Sequence, residues 1–372
     1  MTKILVAFGT RPEAIKMCTL IRKLKMKECF DVKVMVTGQH KDMLAQVLAE
    51  EGIAPDYDLD VMKIGQTLSF ITEKILLGAE EVISELLPDL VLVHGDTTSA
   101  FAVALAAFYR GVDIGHIEAG LRTHDRSSPF PEEFNRSAIA LMAKYHFAPT
   151  DEARENLLSE GICGSNIFVS GNTVIDALIS DIDPHYSSEY TALIDGKRLI
   201  ILTAHRRENL GMLRGIFRAV KRIAELFSDV CVIYPVHKNE KINFLAKEVF
   251  LGVRRVYLTE PLSAYDFHNL LNLSHLVMTD SGGVQEEAGY LGKPTLILRD
   301  TTERKELLSN TVVKLTGTRE EGIFFTAKEI LEKGVNNADE NANSSPYGVG
   351  CASDIIADII EKIEKEKEKE GD

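Results

Sequence analysis

One recurring unit constrains this chain more than any other feature: a short apolar run followed by a stretch with helical spacing, repeated almost from end to end. In the first half, Ile4–Phe8, Val32–Val36, Leu90–His94 and Ile114–Glu118 read as strands, with a weaker one at Tyr145–Ala148. Helical spacing fills the gaps, as over Pro12–Lys25, where Ile15, Cys18, Ile21 and Leu24 fall near one face and Pro12 suits a first turn. The second half repeats the grammar with Leu199–Leu202, Val230–Tyr234, Arg255–Leu258, Leu276–Thr279 and Thr295–Leu298. Strands apolar on both faces and separated by helices form parallel sheets covered on both sides. The expected fold class is therefore α/β, with two Rossmann-like doubly wound domains facing across a cleft and ligands at the carboxyl ends of the strands. Residues 1–170 plus a C-terminal helix, 353–372, are expected to form the first domain, and 171–352 the second. The polar stretch "DIDPHYSSEYTALIDGKR" marks the crossing.

A length of 372 residues suits two domains, and 45% hydrophobic residues suit full cores. No apolar run approaches the ~20 residues that span a bilayer, and "MTKILVAFGTRPE" lacks the parts of a signal peptide. A cytoplasmic protein is expected. The five scattered cysteines fit no zinc or redox spacing and read as reduced thiols. A formal net charge of -14 argues against nonspecific nucleic-acid binding, but not against a small anion that feels only local charge.

The unusual residues cluster just after strands. Gly9-Thr10-Arg11 follows the first, His94-Gly95-Asp96 and Glu118 follow later ones, and "PFPEEFNR" comes next. In the second half stand His205-Arg206-Arg207, Pro235-Val236-His237 and Asp280-Ser281-Gly282-Gly283. Paired glycines after a strand suit a phosphate approaching a helix N-terminus, although alone they could be a tight turn. Asp96 alone reads as a helix cap, and His237 alone as a structural histidine. Glu118 is harder to dismiss, because a carboxylate ending an apolar strand is costly to bury. So many such groups at one end of two sheets outweigh the bland reading of each. No strand is followed by G-x-G-x-x-G or by a G-x-x-x-x-G-K-[ST] loop, so neither a nicotinamide cofactor nor a P-loop has an evident seat. Asp58-Leu59-Asp60 and Asp181-Ile182-Asp183 resemble metal-nucleotide signatures, but read as solvated turns. No cofactor and no essential metal are expected.

Read together, "FGTRPEAIKM", "HGDTT", "HIEAGLRT", "PEEFNR", "TAHRREN", "YPVHKN", "TDSGGVQEEA" and "LRDTTER" resemble, in order, the non-hydrolysing UDP-N-acetylglucosamine 2-epimerases. The resemblance implies two domains arranged as in GT-B glycosyltransferases, a homodimer, and interconversion of UDP-GlcNAc and UDP-ManNAc for surface polysaccharides without NAD or metal. It implies that Ser281, Gly282 and Gly283 meet the diphosphate, that Glu287 accepts ribose hydroxyls and that Phe267 seats the uracil, Phe267 having an almost equal claim to be core. Arg11, Lys16 and Arg304 would supply positive charge. Asp96, Glu118 and Glu132 align with the family's acid–base residues, and His205 would hold the sugar or diphosphate. Gln39, Arg206 and His237 match parts of a regulatory UDP-GlcNAc site, whose surroundings depart from the pattern at Asp42 and Gly65. Lys305, where proline is usual, and "YGVGCAS" are further departures.

C2 of GlcNAc bears no carbonyl, so its proton is not acidic. Inversion there needs transient oxidation or loss of the neighbouring leaving group. Elimination of UDP to 2-acetamidoglucal, then re-addition with a proton on the opposite face, is the consistent choice and the mechanism attributed to the family. It needs carboxylates near both faces of C2 and cations for the diphosphate. Two rival readings remain: a GT-B glycosyltransferase, and a hydrolysing epimerase in which water traps the glucal. A catalytically dead nucleotide-sugar sensor is disfavoured by the intact carboxylates and His205.

Overall fold

The computed structural model describes residues 1–38, 41–63, 65–206, 209–237, 239–309, 312–333 and 345–371. It divides into two compact units, Met1–Ala177 with Tyr347–Asp372, and Leu178–Pro346.

The alternation of apolar runs and helices produces a parallel sheet in each unit. In the first, seven described strands are β1 (Thr2–Phe8), β2 (Phe30–Val36), β3 (Tyr57–Asp58), β4 (Leu90–His94), β5 (Asp113–Ile117), β6 (Tyr145–Ala148) and β7 (Ile167–Val169). They lie in the order β3-β2-β1-β4-β5-β6-β7. Ile4 pairs with Val32 on one side and Leu90 on the other, all in parallel. Alternate side chains then feed opposite faces. Ile4, Val6 and Phe8 join one core with Val32, Val34 and Leu92, while Leu5 and Ala7 join the other with Met35 and Val91. The helix Ala352–Gly371 completes the first of these cores through Ile356, Ala357 and Ile360. Asp176 fixes its start, accepting from the backbone N–H of Ala352 (3.0 Å) and of Ser353 (2.6 Å).

The second unit contains β8 (Arg198–Thr203), β9 (Val230–Pro235), β10 (Val256–Thr259), β11 (Leu276–Thr279), β12 (Thr295–Ile297) and β13 (Val313–Leu315), ordered β10-β9-β8-β11-β12-β13. All its described pairings are parallel. Both sheets therefore reverse their winding direction, between β1 and β4 in one unit and between β8 and β11 in the other. At such a switch point the loops beyond the strands diverge and leave room for a ligand. The strands missed from sequence are β3, β7 and β13, each two or three residues long. Among the described residues no helix is long and apolar enough to cross a membrane.

Candidate active site

In the first unit the loop after β1 is braced from below. Gly9 has no room for a side chain, since a Cβ would fall 2.0 Å from Thr37 Oγ1 and 2.3 Å from Ser99 Oγ. The next turn starts the helix Arg11–Lys25 with a capping box. The Glu13 carboxylate accepts from the backbone N–H of Gly9 (3.1 Å) and Thr10 (2.8 Å), and from Thr97 Oγ1 (2.7 Å) beyond β4. Burial raises its pKa despite these bonds. One buried carboxylate thus ties together the two loops at the switch point.

Glu118 lies one residue past β5 with φ +62, in the left-handed region that non-glycine residues rarely adopt. Such a backbone costs roughly 1–3 kcal/mol and persists only where its surroundings over-determine it. They do so here. Its carboxylate pairs with Lys16, takes 3.1 Å from Arg136 Nη2 and accepts from Asn172 Nδ2 at 2.9 Å, while Arg136 Nη1 donates to its backbone carbonyl. The same Arg136 guanidinium reaches the Asp96 carboxylate. Asn135, one residue earlier on the helix Glu132–Met142, donates to the Asp96 backbone carbonyl at 2.9 Å. Two carboxylates and two cations are held in one cluster, with Glu118, Lys16 and Arg136 all buried. His94 completes it, with Nε2 3.8 Å from Glu118 Oε2 and no hydrogen-bond partner among the described residues. Burial lowers its pKa to about 4, against the pull of Glu118, so the ring is neutral at physiological pH.

The structure therefore brings Asp96 and Glu118 together. Glu132, half-buried, starts the helix that carries Arg136 four residues on, the spacing that puts two residues on one helical face. Its neighbour Glu133 is the buried one, accepting from the backbone N–H of Thr123 and His124 at 2.9 Å each. Lys16, expected to supply positive charge, pairs with Glu118. Arg11 is half-buried at the first position of its helix, where burial lowers its pKa. Arg136 and Asn172 have no role assigned from sequence, and His94 stands there only as a residue following a strand. Only the spacing from Glu132 to Arg136 in "PEEFNR" hinted at one of them.

In the second unit Asp280, fully buried just past β11, organises the loop after β8. Its Oδ2 accepts from the backbone N–H of His205 and Arg206 (2.9 Å each) and from Asn209 Nδ2 (3.1 Å). Its Oδ1 lies 3.6 Å from His205 Nδ1. Packing lowers the His205 pKa, and the Asp280 carboxylate opposes that. The His205 ring stacks on the exposed His237, 5.5 Å between centroids and 8° from parallel. Arg206 is half-buried beside them, and Gln39 lies outside the described residues.

Ser281 occupies the N-cap of the helix Gly282–Tyr290 without using its hydroxyl as a cap. A Cβ on Gly282 would lie 2.4–2.8 Å from three guanidinium atoms of Arg304. The space left by this glycine is thus filled by an arginine. Arg304 is buried and paired with Glu286 and Glu303, and Arg299 approaches Glu303 at 2.9 Å. Burial alone would raise the Glu303 pKa, but Arg304, Arg299 and Arg206 hold it well below the usual carboxylate range. Arg304, expected to face a nucleotide, is thus already paired within the unit. Gly283 is the second residue of the helix, and Glu287 is buried one turn on. Phe267, half-buried, packs against two hydrophobic clusters, one containing Leu270 and the other Val277. Asp181 is no solvated turn residue: it ends the helix Thr173–Asp181 and pairs with the buried His268.

Residues 22–361 match the family model described as UDP-N-acetylglucosamine 2-epimerase. The UDP-N-acetylglucosamine 2-epimerase of Bacillus subtilis is 49% identical over 359 residues, covering 96% of this chain and 94% of that one. The S. aureus MnaA–UDP co-structure superposes with a TM-score of 0.91 at 44% identity, covering 98% and 97% of the two chains. The crystal structure of the UDP-GlcNAc 2-epimerase from Neisseria meningitidis bound to UDP-GlcNAc gives 0.90 at 40% identity, covering 97% and 100%. With its parallel sheets and switch-point residues already in view, this chain belongs to the UDP-N-acetylglucosamine 2-epimerase family.

Proposed function

We propose that the protein interconverts UDP-GlcNAc and UDP-ManNAc by eliminating and re-adding UDP. The observation that carries the reading is the pair of carboxylates, Asp96 and Glu118, tied to one guanidinium. The C1–O bond to UDP breaks as the C2–H proton passes to a carboxylate, giving 2-acetamidoglucal and UDP. Re-addition of UDP at C1, with a proton delivered to the opposite face of C2, gives the epimer. Asp96, Glu118 and Glu132 handle the protons. Arg136 holds two of them in register, and neutral His94 fills the space behind Glu118 without adding charge. In the second unit, the amides of Ser281, Gly282 and Gly283 meet the diphosphate at a helix N-terminus, and Glu287 accepts the ribose hydroxyls. His205 holds the sugar or diphosphate, on a loop stiffened by Asp280. Arg304 acts from beneath the glycine turn, and Phe267 bounds the uracil. The ligands held by the Neisseria and S. aureus relatives support this nucleotide-sugar reading.

The product is a precursor for surface polysaccharides. The active form is a homodimer, a reading supported by the apolar side chains Phe108, Tyr109, Phe134 and Leu141, which the first unit exposes by 50–78%. The reaction is tested by supplying UDP-GlcNAc or UDP-ManNAc separately, without NAD or metal, and resolving the products by ion-exchange chromatography. The expected result is the same mixture of the two UDP-sugars from either side. Accumulating UDP and free ManNAc would identify the hydrolysing reaction instead. Binding without turnover would point to a transferase awaiting an acceptor.

A further inference from the structure

In the second unit two carboxylates from different helices converge on one imidazole. His268, on the helix Ala264–Leu273, is 2% exposed. Its Nδ1 lies 2.6 Å from Asp181 Oδ2 and its Nε2 3.4 Å from Glu287 Oε1. A ring with a carboxylate at each nitrogen donates from both, which only the imidazolium can do. Burial lowers its pKa, but Asp181 and Glu287 together raise it to about 9. Asn269 secures the far end of the chain. Its Nδ2 donates to the backbone carbonyls of Asp181 and Tyr265 at 2.8 Å each, and its Oδ1 accepts from the Asp183 N–H at 2.8 Å. At the near end, Glu287 Oε2 is buried with no hydrogen-bond partner among the described residues. A buried carboxylate oxygen without a donor is expensive.

We propose that His268 is a positioning residue of the nucleotide site: Asp181 holds the ring, the ring holds Oε1 of Glu287, and Oε2 is left to accept from the vicinal hydroxyls of a ribose. This rests on the reading of Glu287 as the ribose acceptor. The arrangement favours a nucleotide whose sugar carries hydroxyls over one whose sugar has none, because a sugar hydroxyl can donate to the buried second oxygen. Fixed in one rotamer by a charged donor, the carboxylate meets the sugar without reorganising.

The test compares UDP with 2′,3′-dideoxy-UDP by titration calorimetry on the full chain. Hydrogen bonds to a charged acceptor predict that UDP binds roughly 10- to 100-fold tighter. Glu287→Ala should bring that ratio close to one. His268→Leu should lower it at least fivefold while dideoxy-UDP affinity stays within twofold, and adding it to Glu287→Ala should change nothing more. Asp181→Asn, which loosens the ring from its far side, should act in the same direction and serves where His268→Leu does not fold. An unchanged ratio in Glu287→Ala overturns the reading of Glu287 itself. A collapsed ratio in Glu287→Ala with a wild-type ratio in His268→Leu and Asp181→Asn overturns only the positioning role. Equal losses for both nucleotides in the His268 variant would mean that the histidine merely supports the fold.

Discussion

A single guanidinium, that of Arg136, reaches both Asp96 and Glu118, and the consequence can be measured. An ammonium at the same place has no planar fork to span two carboxylates. Arg136→Lys is expected to lower kcat for epimerisation by about 10²-fold or more, the scale of one general acid–base contribution. KM should shift only a few-fold, and steady-state rates with UDP-GlcNAc check both. Gly282 makes a different demand, since a methyl group there collides with the Arg304 guanidinium. Gly282→Ala should destabilise the protein by roughly 1–3 kcal/mol, as overpacking does, and weaken UDP binding; urea melts and calorimetry report the two effects. At this scale the sequence was legible in part. Glu118 stands out because a carboxylate ending an apolar strand is costly to bury, whereas Asp96 alone reads as a helix cap and gains weight only from the residues around it. The pairings of Glu118 are not legible, because Lys16 and Asn172 lie 102 and 54 residues from it. The same distance hid the His268 partner of Asp181, and Asp181 was misread as solvated.

Among the elements, strand ends matter most. The ten longer apolar runs were readable because burial on both faces leaves no polar alternation to confuse them. The strands β3, β7 and β13 are too short to carry any period, and they are defined by pairing with β2, β6 and β12. The helix Glu132–Met142 has two jobs. Its first turns carry Glu132, Asn135 and Arg136, while its outer face exposes Phe134 and Leu141. Leu141 is 78% exposed, so Leu141→Glu should change the stability of a single chain by less than about 0.5 kcal/mol. If that face joins two copies, the same change should convert a dimer to a monomer in sedimentation velocity. A wild-type protein that sediments as a monomer would refute the dimer reading outright.

For the molecule as a whole, the buried histidines predict opposite responses to acid and alkali. In the first unit, burial holds His94 and His146 near pKa about 4 and His116 well below its ordinary value. Unfolded, each binds a proton near pH 6.5. Stability is therefore lost as pH falls from about 6.5 towards 4, at up to about 1.4 kcal/mol per pH unit for each group. Glu13, raised by burial, offsets part of that loss. His268 in the second unit has the opposite sign. Its pKa of about 9 contributes stability that is whole below 6.5 and disappears as pH rises through 9. Hydrogen exchange followed by mass spectrometry should find β4 and β6 opening first at pH 5, and the helix Ala264–Leu273 first at pH 9. For the proposed elimination and re-addition of UDP, one measurement bears most directly: incubation with UDP-GlcNAc in D₂O, followed by proton NMR at C2. Elimination and re-addition predict deuterium at C2 in both UDP-GlcNAc and UDP-ManNAc, with no free sugar, and loss of exchange in Glu118→Gln. UDP-ManNAc that forms while keeping its C2 hydrogen would contradict the account, because that hydrogen would then not have left as an exchangeable proton.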